Sequence, residues 1–225
     1  NKISIRESNK IINIAIENGI NCFDTSPNYG NSESILGSAL KFKPDCIIAT
    51  KIQIPNRSKK FFKINNQSIK LIKDSIEKSR KSLQRDKIDI LQIHNASLQM
   101  FKNKKIMNFL MLCKEKKKIT KIGASVYSEK EALCAIKSGW IDVIQVAYNL
   151  FDQQMSNKVF VEAKRAGVLV FTRSTFLKGV LTEKVLLLPK ELKYLINKAN
   201  KTAKLFKITL KELPQVALRF CLSVT

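Results

Sequence analysis

Four residues far apart in the chain carry groups that could do proton chemistry together. They are a carboxylate at Asp24, a phenol at Tyr29, an amine at Lys51 and an imidazole at His94. Each stands at or just past the end of a short apolar run. A tyrosine, with a pKa of about 10, is a poor acid at neutral pH. A neighbouring ammonium stabilises phenolate, so Lys51 is expected to lower the Tyr29 pKa. Asp24 would balance Lys51, because a lone buried cation is costly. His94 would orient a carbonyl oxygen by a hydrogen bond. The set is a proton donor beside an electrophilic pocket, suited to carbonyl reduction. Each member also has a plainer reading. Asp24 could cap the turn that follows it, Tyr29 could pack beside Gly30, Lys51 could be a solvated strand end, and His94 a core residue. Tyr127, Tyr148 and Tyr194 are the competing phenols; none ends a loop from the Asp24 strand.

These groups can meet only if the segments before them are strands of one sheet. Ile20–Asp24, Asp45–Lys51, Ile88–His94, Ile119–Ser125, Ile141–Ala147 and Val168–Arg173 are short apolar runs that fit buried parallel strands. Between them, apolar residues recur at helical spacing. Ser8 is expected to cap a first helix bearing Ile11, Ile12, Ala15 and Ile16 and ending at Gly19. Glu33–Lys41 follows Ser32 with a capping-box-like start. Further helices are expected at Gln67–Leu83, Leu98–Lys117, Glu129–Ser138 and Gln153–Ala166, then near Glu191–Phe206 and Thr209–Leu222. Pro55–Asn66 is a basic loop, and Ser174–Pro189 another loop.

This unbroken alternation describes one α/β domain with a parallel sheet. Six strands fit a doubly wound sheet or most of a (β/α)8 barrel. No glycine-rich phosphate loop follows any strand, which disfavours the doubly wound dinucleotide fold. Polar groups finish several different strands, which favours the barrel.

The totals narrow the class. The chain has 225 residues, 44% of them apolar, enough for one sizeable core. No run reaches the roughly 20 apolar residues of a bilayer span, and no secretory signal is visible. The five cysteines lie in apolar runs without metal-ligand spacing, so reduced thiols, a cytoplasmic protein and no metal are expected. The net charge of +23 comes from 41 Lys and Arg against 18 Asp and Glu. The excess is lysine spread over every expected helix, with no RNA-binding aromatic box or zinc-finger spacing. Specific nucleic-acid binding is therefore not expected, whereas a phosphorylated cofactor or substrate suits the positive field.

The residues run in the order of a known family. Gly19–Gly37 carries G-x-N-x-FDT-x-x-x-YG-x-SE-x-x-LG, and Ala49–Lys51 is ATK. Ser82–His94 carries S-L-x-R-x-x-I-D-x-L-x-I-H, and Ile119–Ser125 carries I-x-K-I-G-x-S. Gln145–Asn149 gives Q-V-x-Y-N, and Ser174–Leu181 gives S-x-x-x-x-G-x-L. Together they resemble the aldo-keto reductases over nearly the whole chain. The resemblance implies a (β/α)8 barrel with Asp24, Tyr29, Lys51 and His94 as tetrad and Tyr29 as proton donor. It implies Ser125 and Gln145 at a nicotinamide ring, and Arg173, Ser174, Phe176 and Leu177 along the ring and pyrophosphate. The cofactor it implies is NADPH, and the substrate a small carbonyl or sugar-like molecule. An alternative within the same barrel is a catalytically weak homologue that senses cofactor or binds a partner.

Two positions depart from the family. Its Ser-Asn pair reads Ser125–Val126 here, and its aromatic-Ser-Pro-Leu stretch reads Arg173–Ser174–Thr175–Phe176. Aligned to the family, Ile20–Asp24 is the second strand and Val168–Arg173 the seventh. The first strand is then expected ahead of residue 1. The eighth, with the helix start that grips the adenosine 2′-phosphate, is expected after Thr225. The expectation is thus a single barrel domain over 1–225 with about six of the eight strands, truncated at both ends and, as written, a poor binder of NADPH.

Overall fold

Strands form where β-branched runs lie between polar turns, and the amphipathic stretches between them coil. The structure, a computed structural model, describes residues 3–55 and 64–224. In order these form α1 (Ile5–Glu17), β1 (Cys22–Asp24), α2 (Ser32–Ala39), β2 (Ile47–Ile52), α3 (Asn66–Leu83) and β3 (Ile88–Ile93). Next come α4 (Leu98–Phe101), α5 (Lys104–Glu115), β4 (Ile119–Ser125), α6 (Glu129–Lys137) and β5 (Val143–Ala147). The last are α7 (Val159–Arg165), β6 (Leu169–Arg173), α8 (Lys193–Leu205) and α9 (Leu213–Leu222). Short 3-10 turns at Leu177–Gly179 and Glu183–Leu187 occupy the stretch expected to be plain loop, and a third, Lys190–Leu192, leads into α8.

All six strands pair in parallel, each beside its predecessor, in the order β1-β2-β3-β4-β5-β6. No reversal of strand order creates a switch point, so the doubly wound alternative falls. The sheet is strongly curled. Neighbouring strands are about 4.8 Å apart, so a flat sheet would hold β1 and β5 roughly 19 Å apart. Yet the Gln145 side chain of β5 donates to the Asp24 side chain of β1 at 3.0 Å. The sheet is six strands of a (β/α)8-type barrel, the architecture expected.

The main core lies between the convex face of the sheet and the helices. Ile52, Leu91, Ile93, Ile122, Ala124, Ile144 and Val146 pack there with Ile72, Ile76, Ile106 and Leu110. Two aspartates fix the strands at their starts. The Asp89 carboxylate accepts from the Ile48 backbone N–H at 3.0 Å. Asp142 accepts from the Ile122 N–H at 2.8 Å and is held by Lys114 at 2.7 Å.

Several boundaries differ from the sequence reading. Ser4, not Ser8, caps α1, its side chain accepting from Glu7 N–H at 3.2 Å; the helix simply begins a turn earlier. Ile11 faces solvent, while Ile12 is buried. α2 starts after Asn31 without a side-chain cap bond. Leu98–Lys117 splits in two because Asn103 accepts from the Ile106 N–H and starts a new helix. α7 is shorter than expected, and α9 begins at Leu213 because Pro214 fits only a first turn. Most of the Pro55–Asn66 loop lies outside the described residues. Asn65 closes it by capping α3 in a capping box with Ser68.

The packing of α2 on α3 is unusually close at Gly37, where an added Cβ would lie 2.4 Å from the Ser82 carbonyl oxygen and 2.7 Å from the Leu83 carbonyl carbon. Backbone cannot yield as a side-chain tip can. Gly37→Ala should therefore cost about 1–3 kcal/mol of stability, visible as a lower midpoint in urea unfolding. An unchanged midpoint would contradict this contact.

Candidate active site

The concave face of the curled sheet is built in two layers two residues apart. Ala49, Ile90, Val143 and Phe171 form a small apolar plug inside the barrel. Alternation along a strand returns to the same face every second residue. Two residues on from each plug member stands a polar side chain: Lys51, Gln92, Gln145 and Arg173. Ser125 faces the same way, since it pairs in register with Gln145. Period-two patterning thus places a polar layer directly above a sealed floor, at the C-terminal ends of the strands.

Asp24, the last residue of β1, is the point where this layer converges. Its Oδ2 accepts from the Lys51 ammonium. Its Oδ1 accepts from Gln92 Nε2 at 2.9 Å and from Gln145 Nε2 at 3.0 Å. The Lys51 ammonium also donates to the Thr25 carbonyl at 2.9 Å. Side-chain exposure is 1% for Lys51 and 38% for Asp24. Burial pushes the Lys51 pKa down, and the bond and charge of Asp24 resist that shift, while Arg173 adds to it. An ammonium at this depth is tolerable only with such a partner.

Tyr29 and His94 complete the group. The loop after β1 swings the Tyr29 ring over Lys51, whose nitrogen lies 5.1 Å from the ring centroid. The Tyr29 and His94 rings meet edge to face, 6.2 Å between centroids. Ser26 Oγ lies 3.5 Å from His94 Nδ1. The four residues named from sequence are therefore neighbours. The direction of the Tyr29 pKa is a correction. Partial burial and the Asp24 charge push the phenol up rather than down, with Arg173 opposing. Lys51 sits 5.1 Å from the ring centroid, but it is paired with Asp24, whose charge acts on the phenol in the opposite sense.

The remaining sequence candidates fall into two groups. Ser125 and Gln145 are buried beside the cluster. Gln145 spends an N–H on Asp24 and keeps a carbonyl oxygen, while Ser125 offers a hydroxyl; a carboxamide needs one acceptor and one donor of this kind. Arg173 lies 4.5 Å over the Tyr127 ring and donates to the Val126 carbonyl at 3.3 Å. Val126 itself is fully buried and has no side-chain polar atom. Ser174, Phe176 and Leu177 lie farther out, on the loop after β6, where Ser174 and Leu177 hold positive φ. Phe176 borders a cavity of about 630 Å³ that also carries Lys178, Lys184 and Lys211.

Gln92 was not among the sequence candidates. It hid inside an apolar run, next to the more conspicuous His94. Its signal was present all the same: a polar residue two after an inward-facing Ile90, in register with Lys51. The competing Tyr148 is settled as a core residue, stacked on Phe220 at 5.1 Å and edge-on to Phe160 at 5.0 Å. Among the described residues no cluster of metal-binding side chains is present, and no helix is long and apolar enough to cross a membrane.

Known proteins resemble the chain in sequence and in shape. The aldo-keto reductase YhdN of Bacillus subtilis is 29% identical over 187 residues, 80% of this chain and 55% of that protein. The NADH-specific methylglyoxal reductase of Escherichia coli is 31% identical over 181 residues, covering 73% and 55%. The chain thus spans about half the length of the curated relatives it matches. In fold, a glycerol dehydrogenase of Gluconobacter oxydans superposes with a TM-score of 0.74 at 22% identity, over 99% of this chain and 75% of that one. The model of the aldo/keto reductase family matches residues 1–225. With a match that runs end to end and relatives that agree with it, this chain belongs to the aldo/keto reductase family.

Proposed function

We propose that the protein is an oxidoreductase that reduces a small aldehyde or ketone with a nicotinamide cofactor, Tyr29 acting as proton donor. The observation that carries this reading is the convergence of Asp24, Lys51, Tyr29 and His94 from three strands and one loop. When bound, the reduced nicotinamide supplies a hydride to the carbonyl carbon. Every other task falls to the chain. Tyr29 Oη gives its proton to the carbonyl oxygen as that oxygen gains charge. The Lys51 ammonium, kept charged by Asp24, stabilises the phenolate that remains. His94 donates to the same oxygen and orients it. The raised pKa of Tyr29 keeps the proton on the phenol until the carbonyl polarises.

Ser125 and Gln145 suit the carboxamide of the cofactor, one as hydroxyl and one as carbonyl acceptor. Val126 offers no side-chain contact where the family has Asn, so the carboxamide rests on two groups rather than three. Arg173, packed on Tyr127, presents a flat cation at the edge of the cofactor ring. Ser174, Phe176 and Leu177 would hold the cofactor farther out, where Lys178, Lys184 and Lys211 line the cavity beside Phe176 and would offer positive charge to its phosphates. That lysine-rich cavity and the charge of +23 favour the more highly charged NADPH. Its Escherichia coli relative is named as NADH-specific, so the two cofactors should be compared directly; a tighter Kd for NADH would reverse the assignment.

Tyr29→Phe should lower kcat by about 10²–10⁴-fold and leave the cofactor Kd nearly unchanged. If turnover of a broad carbonyl panel survives that substitution, Tyr29 is not the donor. If the full-length protein oxidises no reduced nicotinamide with any carbonyl, the whole reading fails.

The pH dependence follows from the two shifts. Lys51 must be protonated and its pKa lies below the ordinary lysine value. Tyr29 must be protonated and its pKa lies above the ordinary tyrosine value. Loss of the Lys51 ammonium therefore contributes an alkaline fall in kcat at a pH below that of an ordinary lysine. A pH–rate profile should fall at a pH below that of a free lysine. A rate that stays flat into the ordinary lysine range would refute this assignment.

A further inference from the structure

We infer that Gln92 is a positioning residue, whose amide fixes the Asp24 carboxylate so that its second oxygen stays on Lys51. The inference rests on the reading of Lys51 and Tyr29 as catalytic groups. Gln92 is 0% exposed. Its Nε2 donates to Asp24 Oδ1 at 2.9 Å. Its Oε1 is buried and has no hydrogen-bond partner among the described residues. A buried acceptor left unpaired is costly. Turning the amide over would not help, since it would bring Oε1 against a carboxylate. The donor's direction is thus fixed by charge.

The backbone beside Gln92 is shaped for it. Gly123 stands opposite Gln92 in the sheet. A Cβ at Gly123 would lie 2.8 Å from Gln92 Cγ and 3.2 Å from the Val143 carbonyl oxygen. β4 thus leaves a gap the width of a side-chain stem, and the Gln92 stem fills it.

Two amides reach Asp24 Oδ1, and they are not equivalent. Gln145 is also the group suited to a cofactor carboxamide, so a bound ligand can compete for it. Gln92 is sealed behind Gly123, so no ligand can claim it. Asp24 ends a strand of three residues and is more than one-third exposed; without a fixed donor it is free to rotate toward water. The charged and titratable groups that face Lys51 are Asp24 from β1, Tyr29 from the following loop with His94 behind it, and Arg173 from β6. Of these only Asp24 strongly favours the ammonium. When Asp24 turns away, burial and Arg173 act on Lys51 unopposed, and it loses its proton at lower pH.

The test is Gln92→Met, which keeps length and removes the donor, with Gln92→Asn as a variant that keeps a shorter one. The titration of the Lys51 side chain is followed by ¹³C NMR of labelled lysine, with Lys51 assigned by substitution. The Lys51 midpoint should fall in Gln92→Met and fall less in Gln92→Asn. The alkaline limb of kcat should move down with it, and kcat should drop by about ten-fold or more, as expected for loss of a hydrogen bond to a charged group. KM and the cofactor Kd should stay close to the parent values, whereas Gln145→Met should weaken the cofactor. A purely structural role would lower the melting temperature and leave the Lys51 midpoint in place, and that result overturns the proposal. If Gln92→Met does not fold, the Gln92→Asn midpoint decides alone: unchanged, it overturns the proposal. The lysine titration needs no turnover, so a protein that reduced no carbonyl would sink the functional reading while the midpoint still judged Gln92.

Discussion

A buried ammonium and the carboxylate that neutralises it set the terms for the rest of this fold. Lys51 sits at the end of a strand whose other inward residue is Ala49, with almost no water around it. Such a charge requires a partner and further donors and acceptors to complete the shell. Asp24 is that partner, but a carboxylate at the end of a three-residue strand needs holding in turn. The donors that hold it come from β3 and β5. A sheet must curl for those strands to reach β1, so the barrel geometry and the ion pair depend on each other.

The two-layer interior explains why the polar cluster sits where it does. Below the polar layer, Ala49, Ile90, Val143 and Phe171 pack into an apolar layer inside the curled sheet. Above it, side chains meet solvent at the strand ends. A charge one pair of residues lower would lie in the plug with no partner; one pair higher, it would be on loops and fully hydrated. Only this depth permits both a strong field and access for a ligand. The loops then add the groups that need freedom, Tyr29 after β1 and the Ser174–Leu177 segment after β6.

Much of this was legible in the residues. Alternating apolar runs and amphipathic stretches gave the order of elements, because burial on both faces leaves a plain pattern in parallel strands. Asp24, Lys51, His94 and Ser125 stood out as polar residues at the ends of apolar runs, whereas Gln145, inside its run, was indicated by the family resemblance. What the sequence hid has physical causes. Ser4 and Ser8 both look like caps, and only the packing of α1 chooses between them. Asn103 interrupts an apolar periodicity that otherwise continues, and a capping bond won locally over the pattern. The direction of the Tyr29 shift depends on how far the ring is buried and how near it lies to Asp24, which spacing alone does not encode. Gln92 was overlooked because its importance comes from its register with Lys51 and Gly123, a relation across three strands.

The aspartates at the other rim give the site a remote dependence. Asp89 and Asp142 each clasp an amide of the preceding strand, Ile48 near the start of β2 and Ile122 midway along β4. Parallel strands that slid by one residue would turn every inward group to the helix side. Lys51 would then face the oily layer and Asp24 would lose its bond to it. These two carboxylates act as a gauge for strand alignment, so the precision of the Asp24–Lys51 cluster is set in part at the opposite rim of the sheet.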